Sequence, residues 1–505
     1  MKKKHKILIA AGLLIIVVAG IFLFLNSYLK QEIEKGLENE YDSSALSYDD
    51  ISINAFGGSA VIRNLRITEG IFTLEAREVN LDGFSYSDYI QDKNITIDRV
   101  HLVEPLVVFN KSDSIPGDKE SEDDIAEKQI KVKRFSASGG NIRIIENDSA
   151  PNSLFTSLKA LQIQDIIIEK KAEGALLPFT YESISIDSDS LYYELSETHY
   201  MQSGKFQLRN DELGIDEFSI IPKYTKQVFD QSIPYEQDWI ALKIEKANFK
   251  GFKFQREQEM VSVTLASSSL KNAHMEIYRN KLLPDDTRIK PMYSEMLRKL
   301  GFLLHIDEVK VSNAYLEYQE KVLESRPAGK LSFHNIQANI KNISNREPEA
   351  GSASLITVEA KARFMGETDL SLNWSFDVHN ELDEFKVSGR MGAIEAENIN
   401  PFLVPAMNVE AEGNIQSLYY DFYGNRNEAH GNMQLAYRDF NVNILKDGES
   451  ERKSLLSRLA NLIIKNDRMN EDVEQKNINT TRDKTKSFWN FLWLCIRDGA
   501  LSTFF

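Results

Sequence analysis

From Ile51 to about Leu445 the chain alternates apolar and polar residues with a period of two, with Val, Ile, Thr, Tyr and Phe set between polar neighbours. A helix brings side chains back to one face about every 3.6 residues and cannot keep such a pattern on a single side, whereas a half-buried strand keeps it automatically. This feature confines most of the chain to a mainly β fold.

Inside the alternation a more specific unit recurs. Two apolar residues one apart are followed by two polar positions and then by two further apolar residues one apart. It appears as Ala60, Ile62, Leu65, Ile67; as Ile95, Ile97, Val100, Leu102; as Ile130, Val132, Phe135, Ala137; as Leu161, Ile163, Ile166, Ile168; and as Leu304, Ile306, Val309, Val311. Further copies begin at Leu242 and Leu331, with an imperfect one at Ile184 in which Asp189 takes an apolar place. The runs Ile95 to Phe109 and Leu304 to Tyr318 overlay without a gap and align Asp98 with Asp307. Passing from an even to an odd position in a regular strand throws the apolar set onto the other face. A β-bulge at the two polar positions restores the face and bends the strand, and two short strands joined by a tight turn do the same. The copies are unevenly spaced, which argues against a fixed-period solenoid. The Asp is expected to initiate the kink by bonding nearby backbone.

Residues 7 to 25 form an uncharged run of Ile, Leu, Val, Ala, Gly and Phe, close to the roughly 20 residues a membrane-crossing helix needs. No small-residue cleavage site follows Phe24 and Leu25, so an anchor is expected rather than a removed signal peptide. Lys2, Lys3, Lys4 and Lys6 precede the run, and the basic residues after it are offset by Glu32, Glu34, Glu38 and Glu40, which places residues 1–6 in the cytoplasm as a basic tail. A helix and connection is expected over 26–50, an N-terminal β-repeat region over 51–280 and a helical interruption over 281–300 that divides the remainder into halves. A C-terminal β region over 301–448 and an amphipathic helix with a polar linker over 449–485 follow. The charged run 117–128 reads as a mobile loop. The apolar segment 486–505 crowds Phe488, Trp489, Phe491, Leu492, Trp493 and Ile496 into a stretch too short to cross a bilayer; it is expected to cap an apolar surface or dock a partner, with Phe488, Trp489, Leu492 and Trp493 as the contact residues.

No phosphate-binding loop, zinc-protease motif, paired C-x-x-C, nucleophile elbow or dinucleotide fingerprint occurs, so no enzyme, catalytic residue, cofactor or metal is expected. The histidines are never at metal-ligand spacing, and Asp187 and Asp189 lack the glycine and glutamate of a calcium loop and read as a solvated turn. A net charge of −16 without a basic stripe excludes nucleic acid as a partner. Cys495 is the single cysteine, so disulfides do not hold the fold.

The order of anchor, short helix, irregular β units, a Gly-punctuated strand region and an apolar C-terminus resembles bacterial AsmA-like proteins. The most specific stretch runs from Phe385 to Leu445, where Gly389, Asn400, Pro401, Gly413, Gly424, Gly431, Tyr437 and Asp439 stand where the family's C-terminal pattern places such residues; Leu283 to Val311 and the terminal KSFWNFLWLCIRDG add to it. The resemblance implies anchoring in the bacterial inner membrane with the bulk in the periplasm. It further implies an elongated, curved, groove-like sheet with an apolar interior, and passage of phospholipids toward the outer membrane with their acyl chains shielded. Phospholipid, the inner membrane and outer-membrane or other envelope proteins are the partners implied. The residues expected to line the groove are Ile62, Leu65, Ile67, Ile97, Val100, Leu102, Val132, Phe135, Ile163, Ile166, Ile306 and Val309, and Val100→Glu or Phe135→Glu is expected to remove lipid while leaving the β spectrum intact. The same residues equally suit the core of a filled sandwich in a non-transporting assembly scaffold.

Overall fold

A computed structural model describes residues 45–54, 58–92, 94–110, 129–145, 153–168, 179–257, 260–348, 355–445 and 474–504. The expected membrane helix, the charged loop 117–128 and the amphipathic stretch from 449 to 473 lie outside the described residues. Among the described residues no helix is long and apolar enough to cross a membrane. The chain is mainly β and divides into two compact units, Met1–Phe218 with Phe252–Ser262 and Ser219–Gly251 with Val263–Phe505.

The first unit is built from β1 (Leu46–Ser47), β2 (Asp50–Asn54), β3 (Ser59–Glu69), β4 (Phe72–Phe84), the short helix α1 (Tyr86–Asp92), β5 (Ile95–Val103), β6 (Leu106–Asn110), β7 (Ile130–Ile145), β8 (Leu154–Ile168), β9 (Ser183–Glu194), β10 (His199–Ser203), β11 (Phe206–Arg209) and the start of β12 (Glu212–Pro222). Strand character begins at Leu46, earlier than the alternation suggested, because Leu46 pairs with Ile67. Neighbours are antiparallel throughout β2 to β4 and β7 to β9, whereas β5 and β6 run parallel to β7. Asp187 and Asp189 sit within β9 rather than in a turn, with Asp187 held by Arg209 at 2.6 Å.

The paired polar positions explain the recurring unit. Ile97 faces Val132 and Phe84, while Val100 faces Phe135 and Leu81; Val132 and Phe135 in turn face Ile166 and Ile163. Each strand therefore spends two residues on the outer side at the same level: Asp82 and Gly83, Asp98 and Arg99, Lys133 and Arg134, Gln164 and Asp165. A bulge on one strand alone shifts the pairing by one residue. Here no shift occurs across β4, β5, β7 and β8, because every neighbour changes parity at the same point. The expected bulge is thus replaced by an in-register column of kinks, and the eight outward residues line a charged crease laced by Arg99 to Asp82 at 2.6 Å and Lys133 to Asp98 at 2.7 Å. Asp98, expected to start the kink through the backbone, stands instead over Gly83.

The second unit contains α2 (Lys226–Ser232), β13 (Asp238–Lys250), most of β15 (Met260–Asn280), α3 (Tyr293–Arg298), β16 (Leu303–Lys321), β17 (Gly329–Ser344), β18 (Leu355–Phe364), β19 (Thr368–Asp377), β20 (Phe385–Met391), β21 (Ile394–Glu395), a 3-10 turn at Ala396–Ile399, α4 (Asn400–Met407), β22 (Val409–Gly424), β23 (Glu428–Ile444), β24 (Glu474–Thr481) and α5 (Phe488–Phe504); the remaining strand, β14 (Lys253–Glu257), belongs to the first. Strands β16 to β20 and β22 to β24 form an antiparallel succession. Here the parity change takes both forms. A true bulge shifts β17 against β18 between His334 and Gln337, with Asn335 in the left-handed region at φ 51°. Elsewhere left-handed Asn272 and Asn313 bond each other at 2.8 Å, and Asn272 donates to Glu245 at 2.6 Å, so a polar ladder ties the kinks of β13, β15 and β16 together.

Two expected boundaries change. The stretch 281–300 lies inside the second unit, where Lys281 and Lys290 donate backbone hydrogen bonds to Lys321 and Lys484 at 2.8 Å each. The polar linker expected up to residue 485 contains β24, whose polar side chains alternate about buried Ile478 and Thr480 and whose backbone pairs with β23.

The column of kinks makes Gly83 specific. Its φ is +73° and a Cβ there meets Asp98 Oδ2 at 2.3 Å. Gly83→Ala is expected to destabilise the first unit by about 1–3 kcal/mol, measured by urea denaturation of the purified chain. Gly301→Ala, where a Cβ meets nothing within 4 Å, serves as the unchanged control.

Candidate functional site

The expected lining residues fall into two environments. Ile62, Leu65, Ile67, Ile97, Val100, Leu102, Val132, Phe135, Ile163 and Ile166 are 0–6% exposed and belong to one packed cluster with β4 residues such as Leu74, Val79 and Leu81. They share a face, as the sequence pattern required, but that face is filled by their own neighbours. In the first unit the filled-core reading therefore describes them, and Val100, fully buried, is not an open lining position.

Ile306 and Val309 differ. Both are half-buried and stand outside both core clusters. Cross-strand partners share a face, and the register extends two apolar rows from them: Val309, Ile340, Val358 and Trp374; Val311, Ala338, Ala360 and Leu372. The intervening row Lys310, Asn339, Glu359 and Asn373 is polar and faces the other way. Ile340, Leu372 and Trp374 lean on the second core cluster, whereas Val311, Val358 and Ala360 also stand outside both clusters while staying half-buried. Among the described residues, the sheet here presents an apolar face that is only partly covered.

The face continues onto β13 and β15. Ile240 and Leu242 oppose Ile277 and Met275, all half-buried, and β15 runs beside β16, where His274 stacks on Tyr315 with ring centroids 4.7 Å apart and Gln319 donates to Glu276 at 2.8 Å. Parity then puts Asp238 and Arg279 on the same face at its end. Arg279 clamps Asp238 through two bonds of 2.7 Å, with side chains 18% and 33% exposed. On β16, Tyr318 follows Leu316 on this face and donates to Glu320 at 2.7 Å. Burial and then the Glu320 carboxylate push the Tyr318 phenol far above its ordinary range, so it remains a donor.

The C-terminal helix α5 is split between a cap and a surface. Phe488, Phe491, Leu492 and Cys495 are buried in the second cluster, Phe488 stacking on Trp374 at 4.8 Å and meeting Phe385 edge-on at 5.1 Å. Trp489 and Trp493 point outward, 48% and 37% exposed, and Trp489 donates to the Tyr293 hydroxyl at 2.9 Å. Of the four residues expected to form the cap, Phe488 and Leu492 do so. The helix also extends to Phe504, well past the aromatic cluster. Lys486, just ahead of it, reaches buried Glu236 at 2.5 Å, and Glu236 also holds Lys281 at 2.6 Å.

The residues that carried the family resemblance have local physical reasons. Asn400 brackets Ala411, accepting from its N–H at 2.8 Å and donating to its carbonyl at 2.9 Å. Pro401 opens α4, where a missing N–H costs nothing. Gly413, at φ +90°, lies against Asp439, whose carbonyl oxygen a Cβ would meet at 2.1 Å. Gly389 leaves room for the ring of Tyr420. No protein-family model matches the chain, and no curated protein does. Among the described residues no group of three or more His, Cys, Asp or Glu is placed to hold a metal ion.

Two outcomes follow. Val100→Glu places an unpaired carboxylate in a filled core and is expected to cost more than about 4 kcal/mol, seen as loss of the cooperative unfolding transition, whereas Val309→Glu keeps that transition. Cys495 is buried and its thiol is pushed up to about 11 by burial, so it should resist maleimide at pH 7.5 in the native chain and react fully in 6 M guanidinium.

Proposed function

We propose that this is a single-pass protein of the bacterial inner membrane whose periplasmic bulk shields phospholipid acyl chains for transfer between the inner and outer membranes, and that the shielding face lies in the second unit. The observation that carries the reading is the pair of apolar rows through Val309 and Val311, in which Val309, Val311, Val358 and Ala360 are half-buried and stand outside both core clusters. Each acyl methylene removed from water contributes about 0.8 kcal/mol, with no bond made and no deep trap formed. From Ile306 to Leu316 the face runs along β16 for roughly 30 Å at about 3.3 Å per residue, comparable to a bilayer core and longer than one leaflet's chain needs. The anchor expected at residues 7–25 would tether this face to its lipid source.

The filled core of the first unit favours a second reading, an envelope scaffold that carries no lipid and binds protein partners through the exposed Trp489 and Trp493. Lipid content separates the two. Full-length protein extracted in mild detergent is expected to retain phospholipid by mass spectrometry, and Val309→Glu combined with Val358→Glu to lower it about tenfold with the unfolding transition unchanged. Retention of the parent's lipid by that double variant, or no lipid in the parent, rejects the shielding role.

A further inference from the structure

The half-open face of the second unit is not apolar throughout, and its polar end has a definite chemistry. Following β15 along the face, Ala273, Met275 and Ile277 give way to Arg279, and on β13 the partner series Ile244, Leu242 and Ile240 ends in Asp238. On β16, Leu316 gives way to Tyr318 and then Glu320. The Lys281 N–H donates to the Lys321 carbonyl at 2.8 Å and Gln319 to Glu276 at 2.8 Å, so β15 and β16 lie side by side at this end and the Arg279–Asp238 pair falls level with the Tyr318–Glu320 pair. The cluster thus holds one cation, two carboxylates and a hydroxyl donor beside an apolar strip. From this geometry we infer that the face takes an amphiphile with a zwitterionic head, its phosphate on Arg279 and its ammonium between Asp238 and Glu320. This rests on the lipid-shielding reading and names the headgroup class for it.

The physical argument is an exchange. In the structure Arg279 and Asp238 satisfy each other through a two-pronged contact whose members are still partly open to solvent. A head that carries both signs can insert into that pair and give each member a new partner, so that no buried charge is left alone. A head with phosphate only satisfies Arg279 but takes from Asp238 the cation that now holds it and leaves a carboxylate unpaired. The fork of a guanidinium matches two phosphate oxygens, whereas a primary ammonium supplies donors for two carboxylates. Of the neighbouring cations, Lys281 and Lys486 are already held by Glu236, and Lys486 also by Asp285.

The test uses the purified full-length chain incubated with mixed vesicles holding equal amounts of phosphatidylethanolamine and phosphatidylglycerol, then re-isolated and its lipid measured by mass spectrometry. The parent is expected to enrich phosphatidylethanolamine about tenfold. Asp238→Asn with Arg279→Gln should bring the ratio close to one with total lipid unchanged. Glu320→Gln, which leaves the ion pair intact and guards against misfolding of the double variant, should raise the phosphatidylglycerol share several-fold. Lipid bound without headgroup preference in the parent, or a ratio unmoved in both variants, overturns the headgroup assignment while the shielding face stands. Absence of bound lipid in the parent overturns both.

Discussion

The constraint on which the structure depends is that neighbouring strands change parity together. A strand that inserts one extra outward residue turns its apolar side chains to the wrong face unless its partner does the same at the same level. In β4, β5, β7 and β8 all four strands do so, and the pairing passes through the kink without a shift. Left-handed backbone at Gly83 and Asp165 accommodates the turn in two of them, and cross-strand ion pairs hold the outward residues. In the second unit the Glu245, Asn272 and Asn313 ladder does this with two amides and one carboxylate. Loss of coordination on one strand would misplace the apolar face of its neighbours as well, so the kinks behave as properties of the sheet and not of single strands.

The same rule yields two different outcomes. In the first unit the aligned faces close on one another, and residues such as Val79, Val100 and Ile166 reach zero exposure. In the second, the apolar rows between β16 and β18 remain half-open, while α5 and the 281–302 connection cover the side nearer β20 through Tyr293, Phe488 and Trp374. The contrast leaves the second unit, rather than the repeats most visible in the sequence, with a half-open apolar face.

Much of the fold was legible in the residues. The period of two from Ile51 onward identified the strands, and the double polar insertion located the kinks at Asp98, Lys133 and Asp165. What the pattern could not distinguish was an alternating strand that lines a furrow from one that lines a packed core, since Ile97 and Ile306 occupy the same place in the repeat and differ only in what lies opposite them. The rows through Val358 and Trp374 escaped notice because β18 and β19 alternate without the double insertion. The Arg279 and Asp238 pair was hidden for another reason: the partners are 41 residues apart, and only antiparallel register brings them together. The segment before α5 read as a linker because polar Asn and Thr dominate it, yet β24 needs only Ile478 and Thr480 facing inward to pair with β23.

The contact between Lys486 and Glu236 spans 250 positions of chain. A ribosome delivers the acidic partner long before the basic one and before the helix that follows Lys486. Until then the aromatic wall formed by Trp374 and Phe385 lacks Phe488 and keeps only Tyr293 from the connection as cover, so the nascent body exposes the kind of greasy edge that chaperones recognise. Completion of the second core therefore waits on residues made long after its first strands, and a polypeptide interrupted before α5 would lack Phe488, Phe491, Leu492 and Cys495 from that core.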